Sequence, residues 1–127
     1  MKIIIPGRPV PAKNHPVMVR PGLLLPSKPY RQYRDFCLGK GKRPGWLAQY
    51  GNIHFPGPVA LCARYWLPDK RWWPDLVGLL QATSDILQAA GLIDNDRNII
   101  SYDGSRIMGL DKANPRVEIT IKEWKTK

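Results

Sequence analysis

The sequence predicts a small single-domain α+β protein with a mixed β-sheet and two main helices. Its 127 residues are enough for one hydrophobic core and too few for two comfortable ones. Residues 76–90 carry apolar side chains at helical spacing, and residues 117–122 alternate between apolar and polar side chains as a half-buried strand does. One domain that contains both kinds of element is therefore expected.

The first third of the chain predicts a strand, a long loop and a helix. Residues 3–5 are three isoleucines and indicate a short strand. Prolines follow it closely, so we expect a loop without regular structure over roughly residues 6–27. Ser27 is a suitable N-cap for a helix that runs to Leu38 and ends at the glycines beyond it.

The two sides of this first helix differ in character. Three residues are expected to face the core: Tyr30, Tyr33 and Cys37. Three cations share another face at a spacing of three: Lys28, Arg31 and Arg34. The cationic face suits contact with a phosphate backbone, and a solvated basic surface is the alternative.

The middle of the chain predicts a central strand followed by the best-defined helix. Residues 58–67 are rich in β-branched and aromatic residues and indicate a strand that ends near Pro68. Asp75 is placed to cap a helix over residues 76–90. Six of its residues are expected to face inward: Leu76, Leu79, Leu80, Thr83, Leu87 and Ala90. Four are expected on the other side: Gln81, Ser84, Asp85 and Gln88.

Two further stretches near the end of the chain predict strands. Residues 98–110 indicate either one strand or two short strands joined by a hairpin, because Asp103-Gly104 is a turn signal. Residues 117–122 indicate a strand with one buried face. The predicted sheet therefore receives strands from both ends and from the middle of the chain.

Positive charge is concentrated in the first fifty residues. The formal net charge is +10, of which residues 1–50 contribute +9 because Asp35 is their single acid. This asymmetry favours an anionic partner, and nucleic acid before a membrane because no basic helix with a broad apolar face accompanies it. A solvated surface that only aids solubility is the alternative.

Cysteine usage and hydropathy bear on the compartment. Cys37 and Cys62 lie far apart and show no pattern of a zinc site or a disulfide framework, so we expect two buried thiols. The apolar start is too short for a signal peptide, and no segment reaches the ~20 apolar residues of a membrane span. A cytoplasmic location without membrane contact is expected.

Acidic residues flank the helix predicted over residues 76–90. Asp69 and Asp75 precede it, and Asp94 and Asp96 follow it. Such a helix is about 22 Å long, so acids at its two ends share a cation only if the following strand folds back beside the helix start. Clustered carboxylates in a basic protein indicate Mg²⁺ and phosphodiester chemistry. A helix cap followed by a polar turn is the alternative.

Residues 67–97 carry a string of motifs. Its parts are Leu67-Pro68-Asp69-Lys70-Arg71, Pro74-Asp75-Leu76, Asp85-Ile86-Leu87 and Ala90-Gly91-Leu92-Ile93-Asp94-Asn95-Asp96-Arg97. The string resembles the signature region of the RusA family of Holliday-junction resolvases, in which an Asp-x-Asp-Asn motif enters a helix and an Asp pair follows the glycine that ends it. Weaker similarity covers residues 9–14 and 117–121, so about half of the chain takes part.

The resemblance implies a RusA-like fold, a homodimer and a branched double-stranded DNA substrate. It also implies phosphodiester hydrolysis that depends on Mg²⁺ or Mn²⁺, in DNA recombination and repair. Asp75 and Asp96 match the catalytic, metal-binding aspartates of the family, and Asp94 is a candidate further metal ligand. The alternative is a branched-DNA-binding protein of the same fold without nuclease activity.

Three functional positions of the family motif hold other residues. The second motif Asp is replaced by Val77, the Asn by Gly78 and the catalytic-type Lys by Gln81. Val77 and Gln81 are four apart on one helix face, so a metal ligand and a stabilising cation are missing from the same place. The site is therefore either degenerate or completed by Asp94 and Asp69.

Five cations are candidate nucleic-acid contacts: Lys13, Arg31, Arg34, Lys70 and Arg71. The last two precede Trp72 and Trp73 on an expected loop. These rings suit stacking on unpaired bases or wedging a branch point, and covering the core or a dimer interface is the alternative. His15 and His54 have no partner pattern, so surface or structural roles are expected.

Overall fold

The computed structural model describes residues 1–12, 17–21, 23–25 and 27–125. The described part contains nine strands and two α-helices. In chain order these are β1 Lys2–Pro6, β2 Val17–Arg20, β3 Leu23–Leu25, α1 Lys28–Leu38, β4 Gly39–Lys40, β5 Arg43–Pro44, β6 Val59–Leu67, α2 Leu76–Ala89, β7 Ile99–Ser101, β8 Arg106–Leu110 and β9 Arg116–Glu123. The single α+β domain with two helices and a mixed sheet is confirmed.

The main sheet is built around β6. Strand β9 pairs antiparallel with β6 along residues 59–66, and β1 pairs antiparallel with the outer edge of β9. Strands β7 and β8 lie in line along the other edge of β6, and both run parallel to it. Both helices pack on one face of this sheet, where alternate side chains of β1, β6 and β9 are buried. The predicted strands over residues 3–5, 58–67 and 117–122 are therefore confirmed.

The turn signal at Asp103-Gly104 marks a turn but not a hairpin. The backbone N–H of Ser105 donates to the carbonyl of Tyr102 at 2.9 Å. The strands on either side of this turn pair with β6 instead of with each other, so the hairpin alternative is wrong. Parallel pairing needs a long crossover, and α2 supplies it between β6 and β7.

The expected loop over residues 6–27 also needs correction. It contains the antiparallel pair β2 and β3, with Val17 opposite Leu25 and Met18 opposite Leu24. Pro21 lies in the turn between the two strands, and the strand residues are mostly β-branched or aliphatic, so pairing is possible locally. Pro21 separates these strands instead of preventing them.

Helix α1 begins and ends as the sequence predicts. The hydroxyl of Ser27 accepts a hydrogen bond from the backbone N–H of Tyr30, and Gly39 follows the last turn with φ of 87°. Tyr30 and Cys37 are buried against the sheet, and burial raises the pKa of the Cys37 thiol to about 12. Cys62 is only half-buried, so the expectation of two buried thiols is confirmed for Cys37 alone.

One side of α2 is more buried than its sequence predicts. Ser84 is buried and Asp85 is half-buried, although both were expected on the solvent side. The Ser84 hydroxyl lies 2.8 Å from the carbonyl of Leu80 and 2.7 Å from the hydroxyl of Tyr102. Tyr102 covers this side of the helix from the turn between β7 and β8, a contact that helical periodicity cannot reveal.

Across the described ranges, neither helix has the combination of length and apolar character needed to cross a membrane.

Tyr65 connects the central strand to α2 through a buried hydroxyl. Its oxygen lies 3.1 Å from the carbonyl of Leu79 and 2.7 Å from the hydroxyl of Thr83, and burial raises the pKa of this phenol. We predict that Tyr65→Phe lowers the free energy of unfolding by about 1–3 kcal/mol, because the Thr83 hydroxyl loses a buried partner. Urea denaturation followed by circular dichroism measures this change.

Tyr50→Phe is the matched control, because Tyr50 packs at the border of the core and its hydroxyl makes no hydrogen bond with the described residues. Its effect is expected to stay within about 0.5 kcal/mol. Equal losses in the two variants would contradict the assignment of a structural hydrogen bond to Tyr65.

Candidate functional site

Asp69 holds the loop between β6 and α2 in place. Its Oδ2 accepts hydrogen bonds from Nη2 of Arg8 at 2.6 Å and from Nη2 of Arg71 at 3.4 Å, and its Oδ1 accepts from the backbone N–H of Arg71 at 2.9 Å. Hydrogen bonding from Arg8 is the main cause that lowers the pKa of Asp69. Asp69 thus anchors the loop to the segment after β1, a role that differs from the metal-ligand role considered from sequence.

Two tryptophans project from this loop. Trp72 is 84% exposed and Trp73 is 52% exposed. Trp72 has φ of 48°, which is uncommon for a bulky residue. The guanidinium carbon of Arg71 lies 5.9 Å from the centroid of its ring. Trp72 therefore does not cover the core of its own chain, which leaves base stacking and a dimer interface as the remaining alternatives.

The start of α2 presents the positions that depart from the family motif. Asp75 has the extended backbone of an N-cap, but its side chain accepts no hydrogen bond from the first turn, so the expected capping is wrong for the side chain. Val77 is 62% exposed and Gln81 is also exposed. An open helix face thus begins at Asp75 and carries an apolar and an amide side chain.

Gly78 permits close packing at the start of α2. The backbone N–H of Ala12 donates to the carbonyl of Gly78 at 3.1 Å. A Cβ atom at Gly78 would lie 2.6 Å from Oδ1 of Asp75 and 3.0 Å from Cβ of Pro11. Any larger residue here, including the family's Asn, requires the Asp75 carboxylate to move.

The two acids that follow α2 have different surroundings. Oδ1 of Asp94 lies 2.6 Å from Nε2 of His54, and both side chains are largely exposed. The backbone N–H of Asp96 donates to Oε1 of Gln88 at 2.9 Å, near the end of the helix. His54 thus has an acidic partner forty residues away, which no local pattern in the sequence indicates.

Asp85 lies in a polar seam between α1 and α2. Burial is the main cause that raises its pKa, the negative charge of Asp96 raises it further, and Arg34 opposes them. The pKa of Tyr30 is also raised, first by burial and then by Asp85. Arg34, a candidate DNA contact, is therefore close enough to Asp85 to stabilise its carboxylate.

Within one chain, α2 separates the predicted metal ligands. Asp75 precedes its first residue, whereas Asp96 contacts its last turns at Gln88, so the two carboxylates are about 15–20 Å apart along the axis. The chain after Asp96 runs back along β6 and reaches the end of that strand only at Asp111, whose backbone N–H donates to the carbonyl of Leu67. The end of β6 leads into the loop before α2. Among the described residues, no three or more His, Cys, Asp or Glu side chains form a group that would hold a metal ion. Oxygen ligands suited to Mg²⁺ are present, but the length of α2 keeps Asp75 and Asp96 from forming a single centre within one chain.

The candidate nucleic-acid contacts fall into two groups. Arg31 and Arg34 are exposed on α1, and Lys70 and Arg71 are exposed on the loop before α2. Lys13 lies outside the described residues. Sequence reasoning assigned no role to a third group, which is the exposed set Lys40, Lys42 and Arg43 around the turn between β4 and β5. A high local density of Lys and Arg was the signal available for it.

No known family model matches the chain, and the curated proteins contain no match to it. The resemblance to the RusA family therefore depends on the motif residues alone.

The seam between α1 and α2 predicts a specific effect of pH on stability. The pKa of Asp85 is higher in the folded state than in the unfolded state. At a pH between these two pKa values, the folded protein therefore binds more protons than the unfolded protein. The free energy of unfolding therefore falls as the pH rises from the unfolded-state pKa through the folded-state pKa of Asp85. We predict that Asp85→Asn raises the free energy of unfolding near neutral pH and that the difference vanishes below the unfolded pKa.

Urea denaturation of both proteins from pH 3 to pH 7 measures this difference. Asp103→Asn, at an exposed turn on the opposite side of the central strand, is the control and should not change the pH dependence. A lower stability of Asp85→Asn at neutral pH would instead mean that the attraction to Arg34 exceeds the costs of burial and of repulsion by Asp96.

Proposed function

We propose that this chain is a RusA-type domain that binds branched double-stranded DNA, as a cytoplasmic homodimer. One observation carries the proposal. The loop before α2 presents the exposed rings of Trp72 and Trp73 directly after the exposed cations Lys70 and Arg71, and Asp69 anchors that loop through Arg8. Cations neutralise phosphates, and exposed rings stack on bases that have left a duplex.

A branch point is the DNA feature that fits this combination. Bases within an intact duplex are stacked on each other and offer no free face to a tryptophan ring, whereas bases at a branch point unstack at lower cost. The basic face of α1, with Arg31 and Arg34, supplies further sites for phosphate contacts. A homodimer with two-fold symmetry matches the approximate two-fold symmetry of a four-way junction.

Metal-dependent cleavage is the second candidate function. It is favoured because Asp75 and Asp96 remain at the motif positions and both are exposed. Mg²⁺ or Mn²⁺ bound there, with Asp94 as a candidate further ligand, would activate water and polarise the phosphodiester. Because α2 keeps the two carboxylates apart, each site in a dimer would combine Asp75 of one copy with Asp96 of the other.

The first prediction of this proposal concerns binding to a labelled four-way junction. Trp72→Ala with Trp73→Ala should weaken junction binding by at least about tenfold while changing affinity for a linear duplex little, because base stacking contributes roughly 1–3 kcal/mol per base. Lys70→Gln with Arg71→Gln should weaken both complexes and lower the slope of log K against log salt by about 2. Fluorescence anisotropy at several salt concentrations measures both effects.

Lys122→Gln with Lys125→Gln removes the same charge from exposed positions near the start of β6, at the end of that strand away from the loop. This control should leave the preference for the junction unchanged. Binding that is weak and indifferent to salt, or equal affinity of all variants for junction and duplex, would contradict the proposal.

The second prediction concerns cleavage. Val77→Asp with Gln81→Lys places a carboxylate and an ammonium at the two motif positions that lack them. We expect this double variant to nick a four-way junction in Mg²⁺ or Mn²⁺ about 10²-fold faster than the wild type, since a preorganised charge of this kind contributes about 10²–10³ in rate. A variant that folds and binds the junction but does not nick it would refute the cleavage function.

Shared sites are tested in the same background. Asp75→Asn and Asp96→Asn should each abolish nicking, because each removes one ligand from both sites of a dimer. Mixing the two inactive proteins should restore up to about a quarter of the activity, because half of the exchanged dimers are mixed and each keeps one complete site. Full activity of either single variant, or no recovery on mixing, would contradict a site that combines two copies.

A further inference from the structure

A small basic hairpin follows α1. Strands β4 and β5 pair with Lys40 opposite Arg43, and Gly41 allows the tight turn with φ of 62°. Lys40, Lys42 and Arg43 are all exposed, and none of them forms an ion pair with an acid of the described residues. Three cations thus lie within four residues on a surface that the function proposed above does not use.

Two glycines lock this hairpin against the end of α1. A Cβ atom at Gly45 would lie 2.3 Å from the backbone nitrogen of Gly39 and 2.4 Å from the carbonyl oxygen of Cys37. A Cβ atom at Gly39 would lie 2.1 Å from the carbonyl oxygen of Arg43. Backbone packing this close gives the hairpin a defined position relative to the helix.

An aromatic pair forms one wall of the groove beside the hairpin. The rings of Phe36 and Trp46 are stacked with centroids 5.9 Å apart and an interplanar angle of 17°. They remain 45% and 38% exposed. Nε1 of Trp46 donates to the carbonyl of Ile4 at 2.7 Å, so this ring is held against the edge strand β1.

The aromatic pair and two of the hairpin cations line one cavity of about 620 Å³. Its side chains include Gln32, Asp35, Phe36, Lys40, Arg43 and Trp46. A second cavity of about 380 Å³ shares Phe36 with it and continues past Tyr33 to Arg8. The groove therefore runs across the side of α1 that is turned away from Arg34 and α2.

We propose that this groove binds single-stranded nucleic acid. Cations at the hairpin fit backbone phosphates, and the exposed aromatic faces fit bases, which every unpaired nucleotide presents. A single acid, Asp35, lines the groove beside Lys40 and Arg43, so the charge selects an anionic occupant. A duplex satisfies the cations but keeps its bases away from the rings, and a neutral apolar peptide satisfies the rings but not the cations.

The test uses the full chain and a fluorescent fifteen-nucleotide oligothymidylate. Lys40→Gln with Lys42→Gln and Arg43→Gln should weaken binding by about tenfold or more at 0.1 M salt and lower the salt slope by about 2, since each phosphate contact of a single strand contributes about 0.7. Phe36→Leu, which leaves the charge unchanged, should weaken binding by about tenfold. It should leave unchanged the binding of an oligomer of abasic sites of the same length.

A charge-matched control separates local contacts from net charge. Arg106→Gln with Lys112→Gln and Lys122→Gln removes three exposed cations of β8, β9 and the turn between them, and should change affinity by less than about threefold. An equal loss of affinity in this control would overturn the proposal. So would binding of the wild-type protein to the abasic oligomer as tightly as to the oligothymidylate. Concentration-dependent dimerisation that Phe36→Leu abolishes while oligothymidylate binding is kept would also overturn it, since a second copy would then occupy the groove.

Junction binding distinguishes this proposal from the function proposed above, on which it does not depend. If the hairpin variant loses oligothymidylate binding and keeps its affinity for a four-way junction, the groove is a separate single-strand site. If Trp72→Ala with Trp73→Ala abolishes oligothymidylate binding while the hairpin variant does not affect it, the single strand binds at the loop and the groove proposal fails.

Discussion

The pairing of β6 on both of its edges determines most of this structure. Strand β9 needs no crossover because it runs antiparallel to β6, whereas β7 and β8 run parallel to β6 and require one. Helix α2 makes that crossover and must therefore run back along the sheet, from the end of β6 to a point near its beginning. The hydroxyl of Tyr65 fixes the helix to the strand at Leu79 and Thr83.

This geometry decides what the acids of the motif region can do. A crossover helix places the residue before it at one end of the sheet and the residues after it at the other, so Asp75 and Asp96 are held apart by the length of α2. Packing at Gly78 leaves the Asp75 carboxylate little free space at the helix start, because that carboxylate and Pro11 lie next to the glycine. Chemistry that needs both carboxylates at one centre therefore cannot take place within a single chain, whereas stacking and phosphate contact can.

Elements with strong local periodicity could be predicted from the sequence, and contacts between distant elements could not. Helix α1, helix α2 and strand β9 follow from caps and from spacing within about a dozen residues. Tyr102 covers Ser84, and Asp94 is the hydrogen-bond partner of His54. Each contact joins two segments that are distant in the chain, so the periodicity of either segment cannot predict it. The Asp103-Gly104 turn has the same limit, because a turn signal does not say which strand its neighbours pair with.

The same limit applies to charge. Composition places a net charge of +9 in residues 1–50, but the fold divides these cations among different tasks. Arg34 lies near Asp85 in the helix seam, and Arg8 binds Asp69, whereas the hairpin cations lack acidic partners among the described residues. Cations without acidic partners keep their full charge for a ligand, so the hairpin is a better candidate than total charge alone suggests.

Arg8 joins the two candidate nucleic-acid surfaces. It lines the far end of the aromatic groove, and its guanidinium binds Asp69, which anchors the tryptophan loop. The Arg8 hydrogen bond is also the main cause that lowers the pKa of Asp69. The position of the tryptophan loop and the shape of this end of the groove therefore both depend on the Arg8 side chain.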